Sequence, residues 1–212
     1  MIKRVDLHNH TKLCNHAKGE MEDFVQEAIA QKIDIFGFSD HAPMNFDPKY
    51  RMSFSQMLQY EAEVLRLKSI YSSQIEILLG YEVDYLEGFM SDEVLGAKVD
   101  YLIGSVHFIK GWGFDNPEFI GGYKDKNIDE IWQNYFDAIE EMAKIAKFDI
   151  VGHLDLIKVF NFLPTKEIKN LAKNAISAIK KSNMCVELNP AGLRKPVREA
   201  YPSLELLEMC FE

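Results

Sequence analysis

The chain has 212 residues, of which 47% are hydrophobic and 27% are charged, a composition typical of a soluble globular domain. Its formal net charge of −9 argues against electrostatic binding to nucleic acid, which needs a basic face. No long apolar run, N-terminal signal or Cys-x-x-Cys pair occurs, so we expect a cytoplasmic protein without a membrane anchor or disulfide framework.

Short apolar segments alternate with amphipathic helical patterns along the chain. The predicted strands cover residues 2–10, 34–40, 75–83, 101–107, 149–153 and 185–189. The predicted helices cover 20–32, 53–71, 92–98 and 129–147, and two more begin at Thr165 and Ser203. This alternation predicts parallel βα units, hence a barrel or an open doubly wound sheet. No Gly-x-Gly-x-x-Gly follows the first strand, which argues against a dinucleotide-binding fold.

The first predicted strand ends in the motif Asp6-Leu7-His8-Asn9-His10. Side chains alternate across a strand, so His8 and His10 share one face, where two imidazoles can bind one metal ion. Taken alone, the motif also fits two surface histidines near a terminus.

Ionisable residues recur where the other predicted strands end. They are His41, Glu82, His107, His153 and the pair Glu187 and Asn189, while His16 lies in the first βα loop. In a βα barrel these strand ends meet at one face, where active sites are built. This coincidence predicts metal binding, and the number of ligands exceeds what one ion needs.

A site with two ions lowers the pKa of a bound water, so a metal-activated water is the expected nucleophile. Neither a Gly-x-Ser-x-Gly elbow nor a cysteine in a nucleophile's setting is present. Imidazole and carboxylate ligands suit zinc, iron and manganese alike. Cys14 is either a soft ligand or a small loop residue. Asp40 immediately precedes His41 and is placed to orient a ligand.

Three cationic side chains are candidates for binding an anionic substrate. Arg194 follows the sixth predicted strand, and its planar guanidinium suits phosphate oxygens. An ordinary exposed arginine is the alternative at that position. Lys158 and Arg51 are weaker candidates.

Several segments together resemble the PHP (polymerase and histidinol phosphatase) superfamily of metal-dependent phosphoesterases, and most closely its histidinol-phosphatases. They are DLHNHT, FSDHAP, FDPKYRMS, LLGYEVDY, IGSVHFIKGWGFD, GHLDLIK and LNPAGLRKP. The resemblance implies a distorted, TIM-like (β/α)7 barrel with up to three divalent metal ions, zinc, iron or manganese. It also implies hydrolysis of L-histidinol phosphate to L-histidinol and phosphate, in histidine biosynthesis.

The resemblance further implies a role for each matching residue. The ligand sets are His8, His10 and Glu82 for the first ion, Glu82, His107 and His153 for the second, and His16 with His41 for the third. Glu82 would bridge two ions, and Arg194 would bind the substrate phosphate. Glu82, His107 and Asp40 are therefore the expected catalytic residues.

One element of that family has no counterpart in this sequence, namely the last strand with its Ser-Asp-x-His motif. We therefore expect residues 1–212 to form a single PHP domain that is truncated before its last βα unit, with incomplete first and third metal sites. Two other hypotheses are a PHP phosphoesterase for another phosphate ester and a non-catalytic metal-binding remnant. We expect a small phosphorylated substrate, no nucleic acid and no membrane. The sequence carries no signal for an oligomeric state.

Overall fold

The structure, a computed structural model, describes residues 2–211. Its internal contacts divide the chain into two units. The first unit comprises Met1–Val83 and Phe89–Ile103, and the second comprises Asp84–Gly88 and Gly104–Glu212.

The first unit contains parallel strands that alternate with helices. Its strands follow the order β1 (Val5–Asp6), β2 (Ile35–His41), β3 (Glu76–Asp84) and β4 (Tyr101–Ser105), of which β3 and β4 end in the second unit. Its helices are α1 (Met21–Ala30), α2 (Met57–Ile70) and α3 (Asp92–Leu95). In the register of β2 and β3, Ile35 pairs with Glu76 and His41 pairs with Glu82. This register fixes the distance between His41 and Glu82.

A buried tyrosine sets the spacing inside this unit. The Tyr101 hydroxyl lies 2.6 Å from the Leu7 carbonyl oxygen and 3.1 Å from that of Phe38. Gly37 and Gly80 lie directly beneath the Tyr101 side chain. A Cβ atom at Gly80 would be 2.5 Å from the tyrosine ring, far inside van der Waals contact. The two strands therefore accept the ring only because both positions lack a side chain.

We expect Gly80→Ala to lower the free energy of unfolding by about 1–3 kcal/mol, because overpacking forces the ring or the backbone to move. Gly121→Ala is the matched control, since a Cβ atom there would contact nothing within 4 Å. Urea unfolding of both variants measures the difference. Equal midpoints for the two variants would show that the strands adjust without cost.

The second unit pairs a small parallel sheet with two long helices. Its remaining strands are the antiparallel hairpin β5 (Phe108–Ile109) and β6 (Trp112–Gly113), and the parallel pair β7 (Ile150–Val151) and β8 (Cys185–Val186). The end of β4 joins this sheet, where the Gly152 N–H donates to the Gly104 carbonyl oxygen at 2.9 Å. Its helices are α4 (Ile128–Lys144), α5 (Ile168–Lys181) and α6 (Leu204–Phe211).

Helix α4 forms as its sequence predicts. The Asn127 side chain accepts hydrogen bonds from the N–H groups of Asp129 and Glu130, which caps the first turn. Its apolar stripe is buried along the whole length, as the positions Ile131, Trp132, Tyr135, Phe136, Ile139 and Met142 show. The buried stripe places Tyr135 beneath the segment that follows β7.

The predicted alternation of strands and helices is confirmed, with some corrections. The first strand spans only two residues, so His8 and His10 lie in the loop that follows it. A hairpin lies in the predicted loop after His107. The predicted cap at Thr165 is wrong, because α5 begins three residues later and the Thr165 hydroxyl donates instead to the Asp129 carboxylate at 2.6 Å. No helix within residues 2–211 is long and apolar enough to cross a membrane.

Candidate active site

A buried carboxylate is the centre of the predicted ligands in the first unit. Glu82 is 1% exposed, and three imidazole nitrogens approach the same atom of it, Oε2. The distances are 3.2 Å from His8 Nε2, 3.4 Å from His10 Nε2 and 3.2 Å from His41 Nδ1. The pairing of His41 with Glu82 brings one of these rings into place, and the loop after β1 carries the other two.

The fourth histidine of this unit lies at the exposed rim of the same cluster. The His16 ring is centred 5.3 Å from that of His10 and 4.9 Å from that of His41. On its other side it stacks on Tyr50 at 5.5 Å. One nitrogen each from His10, His16 and His41 lies within 4.8 Å of the others, close enough for the three to hold one metal ion.

Asp40 is fully buried and anchors the loop that carries His10. Its Oδ1 atom accepts a hydrogen bond from the Thr11 N–H at 3.0 Å and lies 3.5 Å from His10 Nδ1. The Thr11 hydroxyl donates to the other carboxylate oxygen. Burial raises the pKa of Asp40, but hydrogen bonds with His10, Cys14 and Thr11 outweigh it and hold the pKa below its usual value. The carboxylate therefore stays charged behind the His10 ring.

His10 itself favours the neutral form that a metal ligand needs. Burial lowers its pKa, and the nearby His41 adds to this effect, although Asp40 opposes it. Cys14 is buried with its Sγ atom 3.7 Å from His10 Nδ1. Burial and the Asp40 charge raise the pKa of this thiol well above its usual value, so the thiol stays protonated. This protonation favours the interpretation of Cys14 as a small loop residue.

The second unit holds the other two predicted histidine ligands. The rings of His107 and His153 are centred 4.9 Å apart. His107 Nδ1 forms a hydrogen bond with the buried carboxylate of Asp84. The His153 N–H donates to Glu187 Oε2 at 2.6 Å, so the polar end of the sixth predicted strand holds the backbone of this ligand.

Asp84 is a candidate site residue that the sequence interpretation missed. Its hydrogen bond holds the proton of His107 on Nδ1 and leaves Nε2 as the donor atom for a metal. The signal was available, because Asp84 stands two residues after Glu82 on one strand. A second missed carboxyl is Asp115, whose pKa is raised by burial against the opposing influence of His107 and His153.

The three predicted substrate-binding cations lie in different settings. Arg194 is exposed at the end of the 3₁₀ turn Pro190–Arg194. Arg51 is buried, donates from Nε to the Asp47 carbonyl oxygen at 2.9 Å, and lines a cleft of about 490 Å³ in the first unit. Lys158 is also buried, and its ammonium contacts Asp155 and Glu199.

The donor set of the first unit fits divalent metal ions. In the first unit, four imidazoles and one buried carboxylate converge, and these are the ligands that zinc and other first-row metals take in proteins. Two ligands also have a carboxylate behind the ring, at His10 and His107. This arrangement is typical of metal-bound histidine, since the carboxylate orients the ring and strengthens the donor nitrogen.

Comparison with known sequences places residues 6–191 in the PHP domain family. A relative from Deinococcus radiodurans, named "probable histidinol-phosphatase", is 35% identical over 98% of this chain and 81% of its own length.

Solved structures share the fold. A structure from Listeria monocytogenes, described as a candidate histidinol phosphatase, superposes with a TM-score of 0.85 at 23% identity, over 98% of this chain and 90% of its own. A histidinol phosphate phosphatase from Lactococcus lactis, solved with zinc, L-histidinol and phosphate, gives a TM-score of 0.75 at 23% identity. It covers 94% of this chain and 78% of its own. The alternation of parallel strands and helices described above is therefore the TIM-like fold of these phosphatases.

Proposed function

This chain belongs to the PHP domain family, and we propose that it is a metal-dependent phosphoric monoester hydrolase that converts L-histidinol phosphate to L-histidinol and phosphate. The observation that carries the proposal is the approach of three imidazole nitrogens to one buried oxygen of Glu82. The named relatives support the substrate, and the Lactococcus lactis structure supports zinc among the possible metals. The reaction would serve histidine biosynthesis.

The residues that would hold the metal ions follow from the two clusters. Glu82 with His8 and His10 would hold one ion, and His16 with His41 would hold another. His107 and His153 would serve a further ion, which makes up to three ions of zinc, iron or manganese. When bound, such ions neutralise charge on a phosphate group and lower the pKa of a coordinated water.

The remaining site residues would orient these ligands and the substrate. Asp40 holds the loop of His10, and Asp84 holds the ring of His107. Arg194 is the candidate for the phosphate oxygens, because it is exposed on its loop and offers a planar pair of donors. A cation at this position would stabilise the charge that the phosphoryl group carries during displacement.

The test is phosphate release from a panel of esters by protein loaded in turn with zinc, manganese or iron. The panel contains L-histidinol phosphate, phosphotyrosine and an oligonucleotide. We expect L-histidinol phosphate to be hydrolysed with the highest kcat/KM, and we expect chelation to remove the activity and added metal to restore it. Elemental analysis of each sample gives the number of ions per chain.

Three results would each contradict the proposal. Preference for another ester would assign a different phosphoesterase activity to the same metal cluster. Stoichiometric metal without turnover of any ester would assign a metal-binding protein that is not an enzyme. Activity that survives complete chelation would exclude the metal-dependent reaction itself.

A further inference from the structure

Lys158 is a buried lysine whose three ammonium protons all have acceptors. It is 1% exposed, and its Nζ atom lies 2.8 Å from Asp155 Oδ2, 2.7 Å from Glu199 Oε2 and 2.8 Å from the Ala200 carbonyl oxygen. The ammonium also lies 5.4 Å from the centre of the Tyr201 ring. An ammonium has three protons to donate, so this one has no proton left for a substrate phosphate.

The contacts of Lys158 join two segments that are far apart in the sequence. Asp155 and Lys158 belong to the turn after β7, and they bind the segment from Glu199 to Ser203. Asp155 Oδ2 also accepts a hydrogen bond from the Ser203 N–H at 2.8 Å. The turn therefore holds the far segment through both of its charged side chains.

The segment held in this way is the base of the loop that carries Arg194. The two ends of the loop pair as an antiparallel bridge, in which Asn189 and Tyr201 exchange N–H···O bonds of 2.7 and 2.9 Å. Between them, Arg194, Lys195 and Arg198 are exposed. The loop thus presents three cations to solvent, while Glu199, its acidic residue, is engaged by Lys158.

The same base is connected to the backbone of a predicted metal ligand. Glu187 accepts from the His153 N–H through Oε2 and from the Asn189 side-chain amide through Oε1, at 2.6 and 3.1 Å. The Tyr201 ring lies 6.4 Å from the His153 ring, centre to centre. A movement of the loop base would therefore disturb the spacing between Arg194 and His153.

We propose that Lys158 is a positioning residue, which fixes the loop at 189–201 so that Arg194 meets the phosphate at a set distance from the His153 ligand. The inference rests on the proposed phosphatase function, and it differs from direct phosphate binding by Lys158. Lys158 would act by fixing the position of Arg194, since small displacements of a group that holds the substrate have large effects on binding and rate. A loop held by contacts with a buried lysine also loses less conformational freedom when the phosphate binds.

The test is a double-mutant cycle with inorganic phosphate, a product common to all phosphomonoesterases. Its dissociation constant is measured by calorimetry on metal-loaded wild type, Lys158→Met, Arg194→Ala and the double variant. We expect each single variant to weaken phosphate binding about tenfold and the double variant to bind no more weakly than Arg194→Ala, because coupled residues are not additive. Lys169→Met, an exposed change on α5, is the control and should leave the constant unchanged.

A second variant guards against a folding defect in Lys158→Met. Glu199→Gln removes the negative charge at a side chain that is 48% exposed and keeps an amide oxygen as acceptor, so we expect a smaller weakening of phosphate binding with an unchanged melting temperature. Lys158→Arg keeps the charge and should recover part of the affinity.

Three outcomes would overturn the positioning role. Additive losses in the double variant would mean that Lys158 contacts phosphate itself. A lower melting temperature with unchanged phosphate affinity in the folded variants would mean a structural role only. Lack of phosphate binding by the metal-loaded wild type would remove the basis of the inference. Because phosphate is the probe, the cycle stands even where the substrate panel rejects L-histidinol phosphate.

Discussion

Replacing Glu82 with glutamine is expected to abolish hydrolysis of L-histidinol phosphate, with a loss in kcat/KM of at least about 1000-fold. Glu82 is the only residue within 2–211 whose single oxygen is approached by His8, His10 and His41 at 3.2–3.4 Å. The amide has nearly the same shape but no charge, and its nitrogen is not a ligand for a divalent ion. Metal charge supplies several kcal/mol to reactions of this class, and each 1.4 kcal/mol is tenfold in rate.

The control for this variant is Glu76→Gln, the same change at the opposite end of the same strand. Glu76 is about half exposed and pairs with Lys3 at 3.4 Å, so its loss should leave both activity and metal content unchanged. Kinetics and elemental analysis are run on both variants under the same metal loading. Turnover and metal content at the wild-type level in Glu82→Gln would exclude this cluster as the metal centre.

The sequence predicts much of the metal cluster because most of the candidate ligands lie at or near the ends of predicted strands. His41 closes β2 and Glu82 lies two residues before the end of β3, both strands are largely buried and apolar, and the parallel register then pairs the two residues. His16 was placed by its position in the first βα loop, and the structure brings it to the same cluster. These predictions needed only the strand ends and the general rule that parallel strands end at one edge.

Other features depend on contacts between distant segments, which periodicity does not encode. Lys158 is a candidate for binding phosphate in the sequence, but in the structure it donates a hydrogen bond to Glu199, 41 residues later. Thr165 has the chemistry of a helix cap, but the Asp129 carboxylate competes for its hydroxyl. The hairpin after His107 lies in an aromatic, Gly-rich stretch in which polar and apolar residues do not alternate, so the sequence does not predict its strands. In each case a tertiary partner decides the outcome.

The second substitution with a large expected effect is Asp84→Asn, which changes the carboxylate that is hydrogen-bonded to His107. We expect this change to weaken metal binding about 10–100-fold, the usual cost of removing the carboxylate behind a metal-bound histidine. The amide oxygen can still accept a hydrogen bond from the Nδ1–H group of His107, but the amide no longer supplies the negative charge that strengthens Nε2 as a metal ligand. The loss should therefore appear in the metal dissociation constant, and excess metal should restore much of kcat.

Metal titration with an indicator, followed by kinetics at rising metal concentration, separates these two quantities. Asp125→Asn is the matched control, because Asp125 is exposed in the same unit and its left-handed backbone (φ 59°) suits asparagine equally well. A kcat that stays low at saturating metal would mean that Asp84 does more than orient a ligand. Unchanged affinity would mean that the His107 ring is held by its surroundings alone, and that the buried carboxylate beside it serves the fold rather than the metal.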